Sequence, residues 1–315
     1  MPVILKKQQR LPETNKRNHF NSKRITWIIC SHRMKAIYFL ICMLVNLAGF
    51  ANDIDKLQTI DDVSNFLIKK ISKKFKEYPL LNNSLTETDT AKFGRNKFFK
   101  VDVDNDSRTD LIIYGNHLVV ILDKGNSNYE VRYLDGGAFQ QNNASLVSID
   151  DASLPRKIII RQFERDRYHY DTLVYMFNSF IEYNAHPDQT FAFEKIILKT
   201  NQCFGECPVF ELTINKDRTA TYKALRFNGE TGEFTGTLPK NEFDDLTGLL
   251  KYLEPGKLSD NYSVGWSDAQ TATTKIFYSG KTKFITDYGE IGSYGLNTLY
   301  LRFFRWRTSV DWYDK

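Results

Sequence analysis

The sequence predicts an α+β protein in which most strands pair antiparallel. Three observations predict this class. Apolar residues recur at helical spacing over residues 54–78, and short β-branched and aromatic runs follow up to about residue 184. After residue 192, further runs of this kind alternate with two helical patterns. We therefore expect an N-terminal helix, an antiparallel β-region, and an α+β domain with an antiparallel sheet and two helices. The expected division is residues 1–51, 52–190 and 191–315.

The first 51 residues have the composition of a targeting leader. They contain nine Lys and Arg residues and one acid. Residues 36–48 are apolar except for one Asn. The segment Gly49-Phe50-Ala51 then places small residues at a cleavage site. We expect a signal peptide at about residues 34–51, with Met34 as a candidate start, and a periplasmic or secreted protein. The alternative is an uncleaved leader that anchors the chain in a membrane.

The next element is predicted to be an amphipathic helix over residues 54–78. Its apolar residues follow one another at steps of three and four on a charged background: Ile54, Leu57, Ile60, Val63, Leu67, Ile71 and Phe75. Pro79 should end this helix, because proline lacks the amide hydrogen that a helix interior needs.

Eight short runs predict an antiparallel β-region between residues 98 and 184. Turn residues such as Gly125-Asn126 separate these runs. Two stretches within the region are similar, VDVDNDSRTDLII from Val101 and VSIDDASLPRKII from Val147. We interpret them as a degenerate two-unit repeat in which the second unit lacks the acidic residues of the first.

Four acids lie close together in the first of these units. Asp102, Asp104, Asp106 and Asp110 occupy positions 1, 3, 5 and 9 of one loop, and Arg108 offers its backbone carbonyl at position 7. Oxygen ligands at this spacing predict a structural Ca²⁺ site. An EF-hand is disfavoured, because position 12 is an isoleucine and the flanking segments are strands. The alternative is an acidic turn that binds no metal.

This pattern resembles the calcium loops of FG-GAP and VCBS-type β-propeller blades. The resemblance covers residues 96–135 well and residues 145–184 weakly. It implies a propeller-blade-like region, although two units cannot close a propeller ring. Those loops normally have glycine at position 6, where this chain has Ser107.

The region after residue 192 is predicted to be the α+β domain. Four strands should precede a helix in the segment KNEFDDLTGLLKYLE. A hairpin should turn at Ser279-Gly280, and a last helix should cover roughly residues 295–309.

Cys203-Phe-Gly-Glu-Cys207-Pro marks this domain. Residues 195–315 resemble a bacterial family of unknown function that carries a C-F-G-x-C-P signature, a family that implies no activity. From the residues themselves, we favour a disulfide between Cys203 and Cys207, for which Gly205 permits the necessary turn. A redox-active thiol pair, a zinc site and two reduced thiols are the alternatives.

The sequence contains no catalytic motif that we recognise, so no catalytic residue is predicted. Aromatic residues near the C-terminus most often pack in a core. The alternative is that Trp266, Trp312 and Tyr313 form an exposed surface for a glycan or a protein.

Together these features predict an exported bacterial protein that acts as a non-catalytic binding or envelope-associated module. Its partner would be a protein or glycan of the cell envelope. Beyond residue 51 the chain has 34 basic and 37 acidic residues, a balance that disfavours nucleic acid as a partner. An enzyme, either a thiol oxidoreductase at the cysteine pair or a hydrolase, is the alternative.

Overall fold

Two four-stranded antiparallel meanders follow a short N-terminal helix in the computed structural model of this chain. An eight-stranded sheet and two longer helices complete the fold. The structure describes residues 52–77, 97–115, 117–135, 144–164 and 167–315. The predicted leader, residues 1–51, lies outside these described residues.

The helices are α1 (Ile60–Phe66), α2 (Lys240–Leu253) and α3 (Tyr294–Ser309). The first meander consists of β1 (Phe98–Val101), β2 (Asp110–Tyr114), β3 (Leu118–Asp123) and β4 (Tyr129–Tyr133). The second consists of β5 (Ser145–Asp150), β6 (Lys157–Glu164), β7 (Arg167–Met176) and β8 (Ser179–Glu182).

The large sheet has the strand order β13-β15-β14-β9-β10-β11-β12-β16. Its strands are β9 (Phe193–Thr200), β10 (Val209–Asn215), β11 (Thr219–Arg226), β12 (Gly232–Thr237), β13 (Asn261–Ser263), β14 (Thr271–Tyr278), β15 (Lys281–Tyr288) and β16 (Tyr313–Asp314). Only β13 pairs parallel, with β15. The predicted α+β class with mainly antiparallel sheets is confirmed in this broad form.

The first helix is shorter than its apolar spacing predicts. Asn52 and Asp55 exchange side-chain to backbone hydrogen bonds of 2.8 and 2.9 Å, which hold this segment in a turn. The α-helix then begins after Thr59, whose hydroxyl caps it. A π-helical turn follows at Leu67–Ile71, and a 3₁₀ turn at Lys73–Lys76. The prediction of one continuous helix over 54–78 is therefore wrong.

Both faces of the first meander are covered. Leu111 and Ile113 of β2 pack against Val63 and Phe66 of α1. The alternate residue Ile112 belongs to a second cluster that includes residues of the second meander, such as Ile158, Ile160 and Leu173. Since neither face meets water, all of β2 and β3 is buried, and both strands read as unbroken apolar runs.

The second meander also contributes to the core of the C-terminal part. Val174 and Ile181 join a cluster that contains the apolar stripes of α2 and α3 and one face of the large sheet. Asn52–Lys315 accordingly form one compact unit. Among the described residues, no helix has the length and hydropathy needed to span a membrane.

Candidate functional site

Three of the four acids predicted as metal ligands come together in the turn between β1 and β2. One carboxylate oxygen from each of Asp102, Asp104 and Asp106 lies within 4.8 Å of the other two. Two oxygens bound to one Ca²⁺ can be at most roughly 4.6–5.2 Å apart, because each Ca²⁺–O distance is about 2.3–2.6 Å. The separation is thus compatible with a single shared cation.

The backbone of this turn holds the carboxylates in place. Asn105 and Ser107 both have the left-handed conformation, with φ of 61° and 70°. Ser107 therefore adopts a left-handed conformation, which glycine adopts most readily. The amides of Asp106 and Ser107 donate to the carboxylate of Asp102 at 3.1 and 3.2 Å, and the amide of Arg108 donates to Asp106 at 2.9 Å.

The fourth acid, Asp110, does not join this group. It begins β2, is fully buried, and its two oxygens accept hydrogen bonds of 2.8 Å from the amides of Val103 and Asp123. Burial raises the pKa of Asp110 to about 7, although the two backbone hydrogen bonds work in the opposite direction. Asp110 thus connects the turn, through Val103, to the end of β3, through Asp123.

Each clustered acid has a basic partner. Arg108 lies 2.5 Å from Asp106 within the same turn. Lys124, in the turn after β3, places its Nζ 2.5 Å from Oδ2 of Asp104. Arg156, which precedes β6 in the second meander, lies 3.2 Å from Asp102. The sequence analysis did not identify Lys124 or Arg156, because their proximity arises only when the two meanders pack together.

Asp104 differs from its neighbours in burial. Its side chain is 3% exposed, against 16% for Asp102 and 26% for Asp106. Lys124 occupies one of its oxygens, while the other, Oδ1, is buried and has no hydrogen-bond partner among the described residues. A buried carboxylate oxygen without a partner is costly, so Oδ1 is the atom in this turn that most needs a cation.

The cysteine pair forms the expected disulfide. Cys203 and Cys207 are bonded, with their Cα atoms 5.8 Å apart. Gly205 lies between them with φ of 150°, which L residues rarely adopt. The bond closes a tight loop that exposes 89% of Phe204.

The three aromatic residues proposed as a binding surface lie in different environments. Tyr313 and Trp266 are 67% and 43% exposed. Trp312 is half-buried, with its ring 5.2 Å from that of Tyr222, and its Nε1 donates to the carbonyl of Trp306. Trp312 thus packs on the core, while Trp266 and Tyr313 remain open to solvent.

Comparison with protein families identifies the C-terminal domain. Residues 194–307 match the family model described as a domain of unknown function (DUF6438). This match covers β9 through most of α3 and agrees with the expected C-terminal domain of unknown function. No curated protein and no solved structure matches the chain.

Proposed function

We propose that this chain is an exported, non-catalytic binding module whose Asp102, Asp104 and Asp106 carboxylates hold a structural Ca²⁺. The observation that carries the metal site is Oδ1 of Asp104, which is buried, has no partner in the described part of the chain and lies beside two further carboxylates. Oxygen-only donors favour Ca²⁺ or Mg²⁺. We propose Ca²⁺, since Mg²⁺ demands near-ideal octahedral geometry and usually keeps several of its waters.

The basic partners predict that calcium binding is weak. Arg108, Lys124 and Arg156 balance the charge of the three carboxylates, so the ion enters a turn with little net negative charge. Affinity in calcium loops follows the number of ligand charges. We therefore expect a Kd of roughly 10⁻⁴–10⁻³ M, as in extracellular modules. Such a site fills only where calcium is plentiful, which fits an exported protein.

The role of the ion would be to fix the packing of the two meanders. Arg156 reaches from the second meander to both Asp102 and Asn105, at 3.2 and 3.3 Å. Lys124 links Asp104 to Tyr175 of β7, with its Nζ 3.3 Å from the phenolic oxygen. An ion in this turn would hold the same corner of the molecule that these side chains connect.

The shared strand order of the two meanders supports the propeller-blade interpretation as part of this proposal. Each is a four-stranded antiparallel sheet, and in each the first loop carries acids: Asp102 to Asp106 in one, Asp150 and Asp151 in the other. Asp150 pairs with Lys157 at 3.1 Å instead of facing a second acid cluster. We interpret the second meander as a blade-like unit without a metal site.

The N-terminal sequence and the disulfide support the proposal that this protein is exported. A disulfide persists in an oxidising compartment, which agrees with a periplasmic or secreted protein. The partner we propose is a glycan or protein of the cell envelope. Trp266 and Tyr313, both open to solvent, are candidate contacts for it.

Thermal unfolding with Ca²⁺, Mg²⁺ and a chelator tests the metal site. Ca²⁺ at about 10 mM should raise the melting temperature, with a free-energy gain that follows RT ln(1 + [Ca²⁺]/Kd), or about 1.4–2.7 kcal/mol for the Kd expected above. Chelator should reverse the shift, and Mg²⁺ should give a smaller one.

The Asp104→Ala, Asp106→Ala double variant should lose the calcium shift. The matched control is Asp151→Asn, which changes an exposed acid in the corresponding loop of the second meander and should keep the full shift. If the wild-type protein shows no calcium-dependent shift, the turn is an acidic turn held by its arginines and lysine alone.

A further inference from the structure

A polar cavity of about 560 Å³ lies where the two meanders meet the C-terminal domain. Tyr133 of the first meander, His169 of the second, and Asn261, Tyr262 and Asn297 of the C-terminal domain are among the residues of its wall. Its volume falls within the range of roughly 300–1,000 Å³ that is usual for small-molecule sites. It is separate from the acidic turn and from the disulfide loop.

One part of this wall is a fixed hydrogen-bond network. Gln162 donates to the hydroxyl of Tyr294 at 2.6 Å, and that hydroxyl in turn donates to the carbonyl of Leu134. The Nε2 atom of His169 lies 3.1 Å from the amide oxygen of Gln162. Since these groups satisfy one another across three parts of the fold, they define the shape of the cavity before any ligand enters.

The charged groups of the wall are also already paired. Both oxygens of Glu182 accept amides from the first turn of α3, those of Tyr294 and Gly295. This carboxylate occupies the helix N-terminus, where an anion would otherwise bind. Arg132 pairs with Glu130, and His169 lies 3.3 Å from Asp171. Among the described residues, each of these charged side chains thus has a partner, although the Nε atom of Arg132 is buried without one. The cavity is therefore less suited to a charged ligand than to a neutral one.

Neutral amides remain available. The side chains of Asn297 and Asn261 make no hydrogen bond within the described part of the chain, and Asn297 is half-buried on the first turn of α3. An amide offers donors and an acceptor together, as the hydroxyl groups of a sugar do. The ring of Tyr133 is 42% exposed at the rim and can cover the apolar face of a pyranose.

We propose that this cavity binds a neutral saccharide of one or two rings, with Asn297 as its main hydrogen-bonding contact. A ligand with hydroxyl groups can use both halves of a free amide, whereas a phosphate would face the Glu182 carboxylate. An organic cation would leave the amide donors of Asn297 unpaired. The inference rests on the binding role proposed above but not on the calcium site.

Calorimetric titration of the purified protein with maltose, cellobiose and N,N′-diacetylchitobiose tests this, with choline and inorganic phosphate as charged probes. At least one disaccharide should bind, and neither charged probe should. Asn297→Ala should weaken that binding about tenfold, as expected when a ligand loses its hydrogen bonds to one side chain. Alanine favours the helix, so this variant should fold normally.

The control is Asn241→Ala, which removes an exposed amide from the first turn of α2 and should leave binding unchanged. Titrations run in calcium and in chelator separate this proposal from the metal site. Failure of all three disaccharides to bind in both conditions overturns it. Equal binding by Asn297→Ala and wild type, or tighter binding of choline or phosphate than of any sugar, does so as well.

Discussion

The Lys124 ammonium is the counter-ion of Asp104. Its Nζ lies 2.5 Å from Oδ2 of this carboxylate, whose side chain is almost fully buried. Burial lowers the pKa of Lys124, but its hydrogen bonds to Asp104 and to Tyr175 outweigh that effect and the pKa is raised overall. Lys124 is thus charged at neutral pH and competes directly with any metal ion for Asp104.

Lys124→Met should therefore have opposite effects on stability and on calcium affinity. Without calcium, the variant leaves the Asp104 carboxylate buried and unpaired, which should lower the free energy of unfolding by about 1–3 kcal/mol. With its competitor removed, Asp104 should bind Ca²⁺ about tenfold more tightly. Calorimetric titration with Ca²⁺ and melting in chelator measure the two quantities.

Lys157→Met is the control for this prediction. Lys157 pairs with Asp150 at 3.1 Å in the corresponding loop of the second meander, away from the acidic turn. Its loss should leave calcium affinity unchanged. If the calcium affinity of Lys124→Met equals that of wild type, then Asp104 is not a ligand.

Asp110→Asn should destabilise the protein whether or not calcium is present. Both carboxylate oxygens of Asp110 accept backbone amides in the core, and asparagine can replace only one of these acceptors. The expected loss is about 1–3 kcal/mol, the usual cost of a buried polar group that loses its partner. Asp106→Asn, at a more exposed member of the cluster, should matter only in calcium. Denaturant unfolding in chelator separates the two variants, and equal stability of both would contradict this assignment.

Strand alternation explains why Asp110, which the spacing of the acids predicts as a fourth ligand, does not join the other three. Asp110 lies two residues before Ile112, so both side chains point to the face that packs on the second meander. That signal is local and was available in the sequence. The pairing of Arg156 with Asp102 was not, because the two residues are 54 positions apart and meet only after both meanders fold.

Elsewhere in the fold, the sequence likewise predicts local features but not the packing of segments that are far apart in the chain. The continuous apolar runs of β2 and β3 predict strands with both faces covered, but not that α1 and the second meander cover them. The apolar spacing before Thr59 predicts burial of Ile54 and Leu57, and both are buried. It does not predict a helix there, because the reciprocal bonds of Asn52 and Asp55 favour a turn.

Glu182→Ala should weaken the connection between the second meander and α3. The carboxylate accepts the amides of Tyr294 and Gly295, and two such hydrogen bonds to a helix N-terminus are worth about 2–3 kcal/mol together. Glu182→Gln keeps one acceptor oxygen and should lose about half as much. Denaturant unfolding measures both, and a wild-type midpoint for Glu182→Ala would show that the carboxylate contributes nothing to stability.

Glu290→Gln should raise stability above pH 7 and leave it unchanged near pH 4. Burial, and then the charge of Asp287, raise the pKa of Glu290 to about 7, and its Oε1 has no hydrogen-bond partner among the described residues. An acid with a raised pKa in the folded state stabilises the fold fully below its unfolded pKa, and this contribution is lost as the pH rises through about 7. The loss is at most about 3 kcal/mol, and the uncharged glutamine avoids it.

Melting temperatures of Glu290→Gln between pH 4 and pH 8 should diverge from those of wild type only as the pH rises. The control Glu230→Gln, at an exposed position, should follow wild type throughout. A constant difference between Glu290→Gln and wild type across this range would mean that Glu290 does not titrate differently in the folded protein.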